Sequence, residues 1–279
     1  MIQHLIEKRF GPNAFSAKRE TVQDDPNPVI ENLLNHAVSR KFTDQPVTSK
    51  LLNLLFAAAF SAPSKSDLQQ VSVIHLTDRR KIEHLANHNP KVAWIVNAPV
   101  FLVWCADSRR IRQVCEWKKH PFANDHLDAF MNAAVDVGIV MEAFISAAKS
   151  MGLGCCPISE IRDDIHRLST TLALPKYVFP VAGFCLGWPA EQTSLSMRLP
   201  PSVTIHENVY DDSNMIAAID QYDRAREADQ PTPIEKQRSV EQFGLCDAYS
   251  WSEDRSRQYA QPCRADFGAY IREQGFNLS

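Results

Sequence analysis

The chain predicts one α+β domain with a peripheral C-terminal arm, on three observations. Helical and strand patterns interleave along its 279 residues with neither a composition break nor an internal repeat. The run Pro99–Ala106 is apolar on both faces and so belongs in the middle of a sheet. A helical pattern from Asn124 to Ser150 is long and apolar enough to be the spine of the molecule.

Residues 1–27 read as a polar arm, with Phe10-Gly11-Pro12 in its middle and Asp24-Asp25-Pro26 at its end. Helical spacing begins near Pro28, through Ile30, Leu33, Leu34 and Val38. A second helix opens at Thr48-Ser49, residues suited to capping, and runs to Phe60. Pro63 cannot continue it. Val71–Leu76 is rich in β-branched residues and reads as a strand, followed by a helix from Asp78 to about Asn87 and a short segment around Val92–Val96. The Pro99–Ala106 strand comes next.

The spine carries an apolar stripe of Ala129, Ala133, Val137, Val140, Phe144, Ala147 and Met151. Its small side chains permit close helix packing, and Gly152 supplies a C-terminal stop. Strands follow around Gly154–Ile158 and Val178–Leu186, separated by an amphipathic helix at 163–172. After Pro200 the chain becomes charged and proline-containing, and a last helix near Ala265–Gln274 ends at Gly275.

Composition narrows the function classes. A hydrophobic fraction of 44% and a charged fraction of 23% are those of an ordinary soluble protein. A net charge of −3 gives no basic footprint for nucleic acid. Met1 to Lys8 lacks the features of a signal peptide, and no uninterrupted run approaches the roughly 20 apolar residues of a membrane span. Seven scattered cysteines without a C-x-x-C pair or a metal-like grouping point to a reducing, cytoplasmic setting. The adjacent Cys155-Cys156 read as small buried residues, not as a redox pair.

Four constellations carry the chemistry. They are His36-Ala37-Val38-Ser39-Arg40, Ser61–Gln69, Gly152–Arg162 and Ser196-Met197-Arg198-Leu199-Pro200 with the His206–Tyr210 segment behind it. Taken singly, each fits a solvated arginine, a loop or a turn. In this order and spacing, with Gly183–Pro189 between the last two, the chain resembles the flavin-dependent nitroreductase family, in its oxygen-insensitive nitroreductase and NADPH–flavin oxidoreductase branch.

The resemblance implies a nitroreductase-like fold, α+β, with a central, mainly antiparallel sheet flanked by helices, a long central helix and extended terminal arms. It implies an arm at 1–27, an FMN-binding core at 28–215 and a C-terminal helical extension at 216–279 that packs on the core or a partner subunit. By the match, His36, Ser39 and Arg40 lie at the FMN phosphate, ribityl chain and N1–O2 edge, with Arg40 stabilising charge on the reduced ring. Ser64, Lys65 and Gln69 line the flavin. Pro157 and Ile158 lead into Ser159 and Glu160, whose backbone N–H groups come to its O4–N5 edge. Ser196 and Arg198 take the phosphate, where a forked guanidinium is the natural donor.

The chain also departs from the family pattern. Ala37 and Val38 replace an arginine and a serine, Ser196 replaces a lysine, Val92 falls where relatives place a glutamine, and Ser159-Glu160 replaces Gly-Gly. Arg238, Arg255 and Arg257 are the cations available for the 2′-phosphate of NADPH. The implied function is FMN-dependent reduction of nitroaromatics, quinones or flavins by NADPH or NADH, in two-electron ping-pong hydride transfer to a small-molecule acceptor, by a cytoplasmic homodimer. No protein nucleophile is required. The alternatives are a member with a narrow substrate and a degenerate flavin-binding scaffold without turnover.

Overall fold

The computed structural model describes residues 2–12, 15 and 27–279. The expected end of the N-terminal arm, Asp24-Asp25-Pro26, lies outside them. In chain order the elements are α1 (Ile2–Phe10), α2 (Pro28–Leu34), α3 (Ser49–Ala59), β1 (Val71–Leu76), α4 (Arg79–His88), β2 (Val100–Asp107), α5 (Arg109–Trp117), α6 (Leu127–Ser150), β3 (Gly154–Ile158), α7 (Ile165–Thr171), β4 (Val178–Gly187), α8 (Pro201–Thr204), α9 (Met215–Asp229), α10 (Val240–Phe243), α11 (Trp251–Tyr259) and α12 (Phe267–Glu273).

They form two compact units, where the sequence predicts one domain. The sheet unit joins Val38–Thr193 to Arg264–Ser279, and the helical unit joins Met1–Ala37 to Ser194–Cys263. These boundaries also differ from the expected core at 28–215 with separate terminal arms. The physical reason is packing. In the helical unit α1 lies against α2, and α9 against both α8 and α11. In the sheet unit the chain end returns to the core, with Tyr270 and Ile271 buried. There the Tyr270 hydroxyl donates to Ser169 Oγ at 3.1 Å.

The sheet is antiparallel throughout, in the order β1-β2-β4-β3. Val100–Ala106 of β2 is wholly buried, as its two-sided apolarity requires. Its register against β4 shifts between Trp104 and Cys105, where Pro180 stands opposite without an N–H to donate. Against this sheet lies α6. Phe144 sits 5.3 Å from the Trp104 ring and 5.4 Å from Phe184, both edge to face.

At its start the His126 ring accepts from the Asp128 N–H. At its end Gly152 has φ +80°, with Gly152 N–H on Lys149 O and Leu153 N–H on Ala148 O, a Schellman stop. By length and hydropathy this helix could cross a membrane, which counting unbroken apolar runs missed. Ala133, Val137, Phe144 and Ala148 fill the protein core instead. Of the expected stripe, Ala147 is only partly covered and Met151 is exposed.

Three local expectations are corrected. The N-terminal arm begins with a helix, α1, whose Ile2 and Arg9 are buried. The helix starting at Pro28 ends at Leu34 and does not reach Val38, because residues 38–40 are extended and Ser39 N–H donates to Cys155 O at 3.0 Å. Helices α5, α9 and α11 occupy stretches whose density of charge hides their narrow apolar faces.

Candidate functional site

In the sheet unit, residues 38–40 run beside β3. A Cβ on Gly154 would come within 2.5 Å of Ser39 Cβ and Oγ, so only glycine lets the two segments close. Ser39 is therefore buried, with its side chain turned to Gly154. Arg40, next along, is exposed. Burial pushes the Cys156 thiol up, the Arg40 guanidinium offsets part of that rise, and Glu160 adds to it.

Pro157 and Ile158 end β3, and Ser159 caps a short 3-10 turn at Glu160–Arg162 without a side-chain bond. First-turn N–H groups have no intrahelical partner, so backbone donors are available here. Neither Ser159 nor Glu160 has positive φ, so the pair replaces Gly-Gly without strain. Asn89 donates to Glu160 O at 2.8 Å, and Ser159 Oγ lies 3.5 Å from a Glu160 carboxylate oxygen.

The Ser61–Gln70 loop is held by a residue that local sequence reading passed over. Asp136 is 1% exposed on the inner side of α6. It accepts from Ser64 Oγ at 2.9 Å, from Lys65 N–H at 3.0 Å and from the Gln70 amide at 3.3 Å. Ser64 Oγ in turn accepts from Gln69 N–H at 2.7 Å. The Ser64 proton is thus committed to Asp136, not open to a ligand. Ser66, Asp67 and Gln69 all have φ between 51° and 55°, a sparsely populated region for side-chain-bearing residues. This strain is held in place by a buried carboxylate that collects several donors. Lys65 and Gln69 stand exposed, and Lys65, Ser66 and Gln70 line a cavity of about 410 Å³ with Phe122 and Asn132.

In the helical unit, His36, Ser196 and Arg198 come together around Arg9. The Arg9 guanidinium donates to Leu34 O at 2.7 Å, to Ser196 O at 2.9 Å and to His36 O. The Arg198 N–H donates to Arg9 O at 2.6 Å, and its Nη1 to Ser196 Oγ at 2.6 Å. Desolvation first, and the charge of Arg198 second, hold the Arg9 guanidinium below its ordinary pKa. The only trace of Arg9 in the sequence is its place in the spacing Ile2, Leu5, Ile6, Arg9, which puts a cation on a helix's apolar face. Further along the chain, the His206 and Tyr210 rings meet at a tilt with centroids 4.4 Å apart, and His206 accepts from Asp211 N–H.

Other expectations resolve plainly. Val92 is 2% exposed and belongs to the core. Arg238 and Arg255 share the one carboxylate of Asp254, and the buried Arg257 pairs with Glu253 at 2.6 Å, so each is already engaged by an acid of its own unit. Cys155 and Cys156 are both buried, as read. Among the described residues no cluster of His, Cys, Asp or Glu is placed to hold a metal.

The donor sets suit FMN. Within the helical unit, a guanidinium and a hydroxyl without an ion-paired carboxylate among the described residues fit a phosphate monoester; within the sheet unit, first-turn N–H groups fit the polar edge of a flavin ring.

Comparison with known proteins agrees. The model of the Nitroreductase family matches residues 35–188, and that of the Nitroreductase family, C-terminal domain, matches residues 196–279. The chain is 39% identical over 66% of its length to an FMN reductase [NAD(P)H] of Bacillus subtilis, of which 75% is covered. It is 37% identical over 70% of its length to an oxygen-insensitive NADPH nitroreductase of Salmonella typhimurium, of which 80% is covered. Among solved structures, NfrA2 of B. megaterium superposes with a TM-score of 0.81 at 31% identity, over 91% of this chain and 100% of that one. The NADPH:FMN oxidoreductase of Vibrio harveyi, complexed with NAD+, superposes with a TM-score of 0.77 at 30% identity, over 89% and 98%.

Proposed function

The chain belongs to the nitroreductase family, and from that premise we propose how its own residues serve the reaction. It is an FMN-dependent NAD(P)H oxidoreductase. The chemistry that FMN supplies when bound is two-electron transfer from NADPH or NADH to a small acceptor such as a nitroaromatic, a quinone or a flavin. The observation that carries the assignment of residues is the coexistence of two donor sets, one cationic and one made of backbone N–H groups.

Arg198 and the Ser196 hydroxyl bind the phosphate with charge-assisted bonds. His36 belongs to the same group, its carbonyl fixed by Arg9. Arg40 presents its cation from the edge of β3, suited to negative charge on a reduced ring. Pro157 and Ile158 lead the chain into the 3-10 turn whose first N–H groups, at Ser159 and Glu160, would serve the ring's polar edge. Ser39 acts through packing, since its side chain is turned to Gly154. Ser64 fixes Gln69, and Lys65 and Gln69 offer the exposed donors of that loop.

A homodimer is supported by an apolar row on α6 left exposed among the described residues: Leu127, Met131, Val135 and Ile139 are 49%, 58%, 48% and 38% exposed. Free thiols at all seven cysteines suit a reducing cytoplasm.

One feature favours a narrower substrate range. Glu160 puts a carboxylate where the family pattern has a glycine, at the turn proposed to face the ring. Steady-state rates with NADPH and with NADH on neutral and carboxylated nitroarenes test both points. Parallel-line kinetics and faster turnover of the neutral acceptor are expected, with Glu160→Gln narrowing the gap. Equal rates for the two acceptors in the wild type would remove the role given to Glu160, and no turnover of any acceptor would remove the function.

A further inference from the structure

Arg9 is a buried cation whose hydrogen-bond partners carry no charge. It is 4% exposed, on the inner side of α1. Its guanidinium meets the carbonyls of Leu34, His36 and Ser196, and these three take up only part of its fork of donors. The other charged group that acts on it is another cation, Arg198. Among the described residues neither arginine forms an ion pair with a carboxylate.

Carbonyl dipoles repay some of the cost of burial, but two guanidiniums gathered without an acid among the described residues repel each other. An anion placed against them would reverse the sign of that interaction. The chain has alanine at 37 and serine at 196, so Arg9 and Arg198 supply the positive charge of this group. The hydroxyl of Ser196, already bonded to Arg198, adds an uncharged donor of the kind a phosphate oxygen accepts. An open cleft of about 390 Å³ has Arg198, Arg226 and Phe10, the chain neighbour of Arg9, in its wall, and Arg226 is held by the Tyr222 hydroxyl and, among the described residues, by no carboxylate.

We propose that Arg9, reaching in from the N-terminal helix, completes with Arg198 a binding site for a phosphate monoester, and that it is a specificity-determining residue for the phosphorylated cofactor. The inference rests on the FMN-dependent NAD(P)H reading. Two phosphate monoesters occur in that reaction, that of FMN and the 2′-phosphate of NADPH, and the same dianion chemistry serves either.

The test compares FMN with riboflavin, which lacks the phosphate, by fluorescence titration of the flavin-free protein in wild type, Arg9→Met and Arg9→Lys. NADPH and NADH KM values are measured alongside, and folding is followed by thermal melting. Arg9→Met is expected to weaken FMN by about tenfold or more while riboflavin holds. Arg9→Lys, which keeps the charge but not the fork, should show a smaller loss with the same split. If Arg9→Met does not fold, the lysine variant carries the comparison.

A loss of NADPH-over-NADH preference with the flavin ratio intact would also support the site and assign it to the nucleotide. Parallel weakening of FMN and riboflavin, or no change in either ratio, overturns the proposal and leaves Arg9 a backbone clamp. Wild-type protein that binds neither flavin would instead overturn the function on which the proposal rests.

Discussion

Cys105 and Cys155 lie inside the sheet unit, where burial pushes both thiols up to about 12 from an ordinary 9.0. Each is an acid whose proton the folded state keeps and the unfolded state releases above 9. Their contribution to stability is therefore whole below that pH and is lost as pH rises from 9 toward 12. Thermal melts should fall steeply over that window, and a thiol reagent at neutral pH should label the exposed Cys263 well before Cys105, Cys155 or Cys185. Labelling of all seven at one rate would contradict this. At this scale the sequence exposed what depends on residue type alone: the buried cysteine pair and the tolerable Glu160. Arg9 and Asp136 stayed hidden, because each acts on segments remote in the chain and no local spacing records a remote partner.

Strands and capped helices were the legible elements. Val71–Leu76 and Gly154–Ile158 match their expected limits, since β-branched or apolar runs between breakers leave little choice. Thr48, Asp78 and Asp164 cap the helices that follow them. The helix expected through Val38 failed because a backbone bond to β3 outcompetes the helical spacing there. The Ser61–Gln70 loop depends on α6 through one carboxylate. Asp136→Ala would strand the Ser64 hydroxyl, the Lys65 N–H and the Gln70 amide at once. A loss of about 3 kcal/mol or more is expected, from bonds to a charged group worth roughly 1.5–3 kcal/mol each. Urea unfolding checks it, and a loss below about 1 kcal/mol would show that the loop holds without its brace.

For the whole molecule, α+β architecture and the central helix were readable from pattern and the antiparallel sheet only through the family resemblance, while the division into two units was not. That division depends on which remote helices meet, such as α1 on α2 and α11 on α9. The uncovered row on α6 predicts a dimer by light scattering, and Val135→Lys should shift the mass toward one chain. A monomeric wild type would contradict the assignment of that face. The central claim is that these residues hold FMN and reduce it with a pyridine nucleotide. A visible absorption spectrum of the purified protein, followed by anaerobic titration with NADPH or NADH, tests it most directly. The account predicts the bands of oxidised flavin, bleaching by at least one nucleotide and release of FMN on denaturation; a colourless protein that also fails to bind added FMN would contradict it.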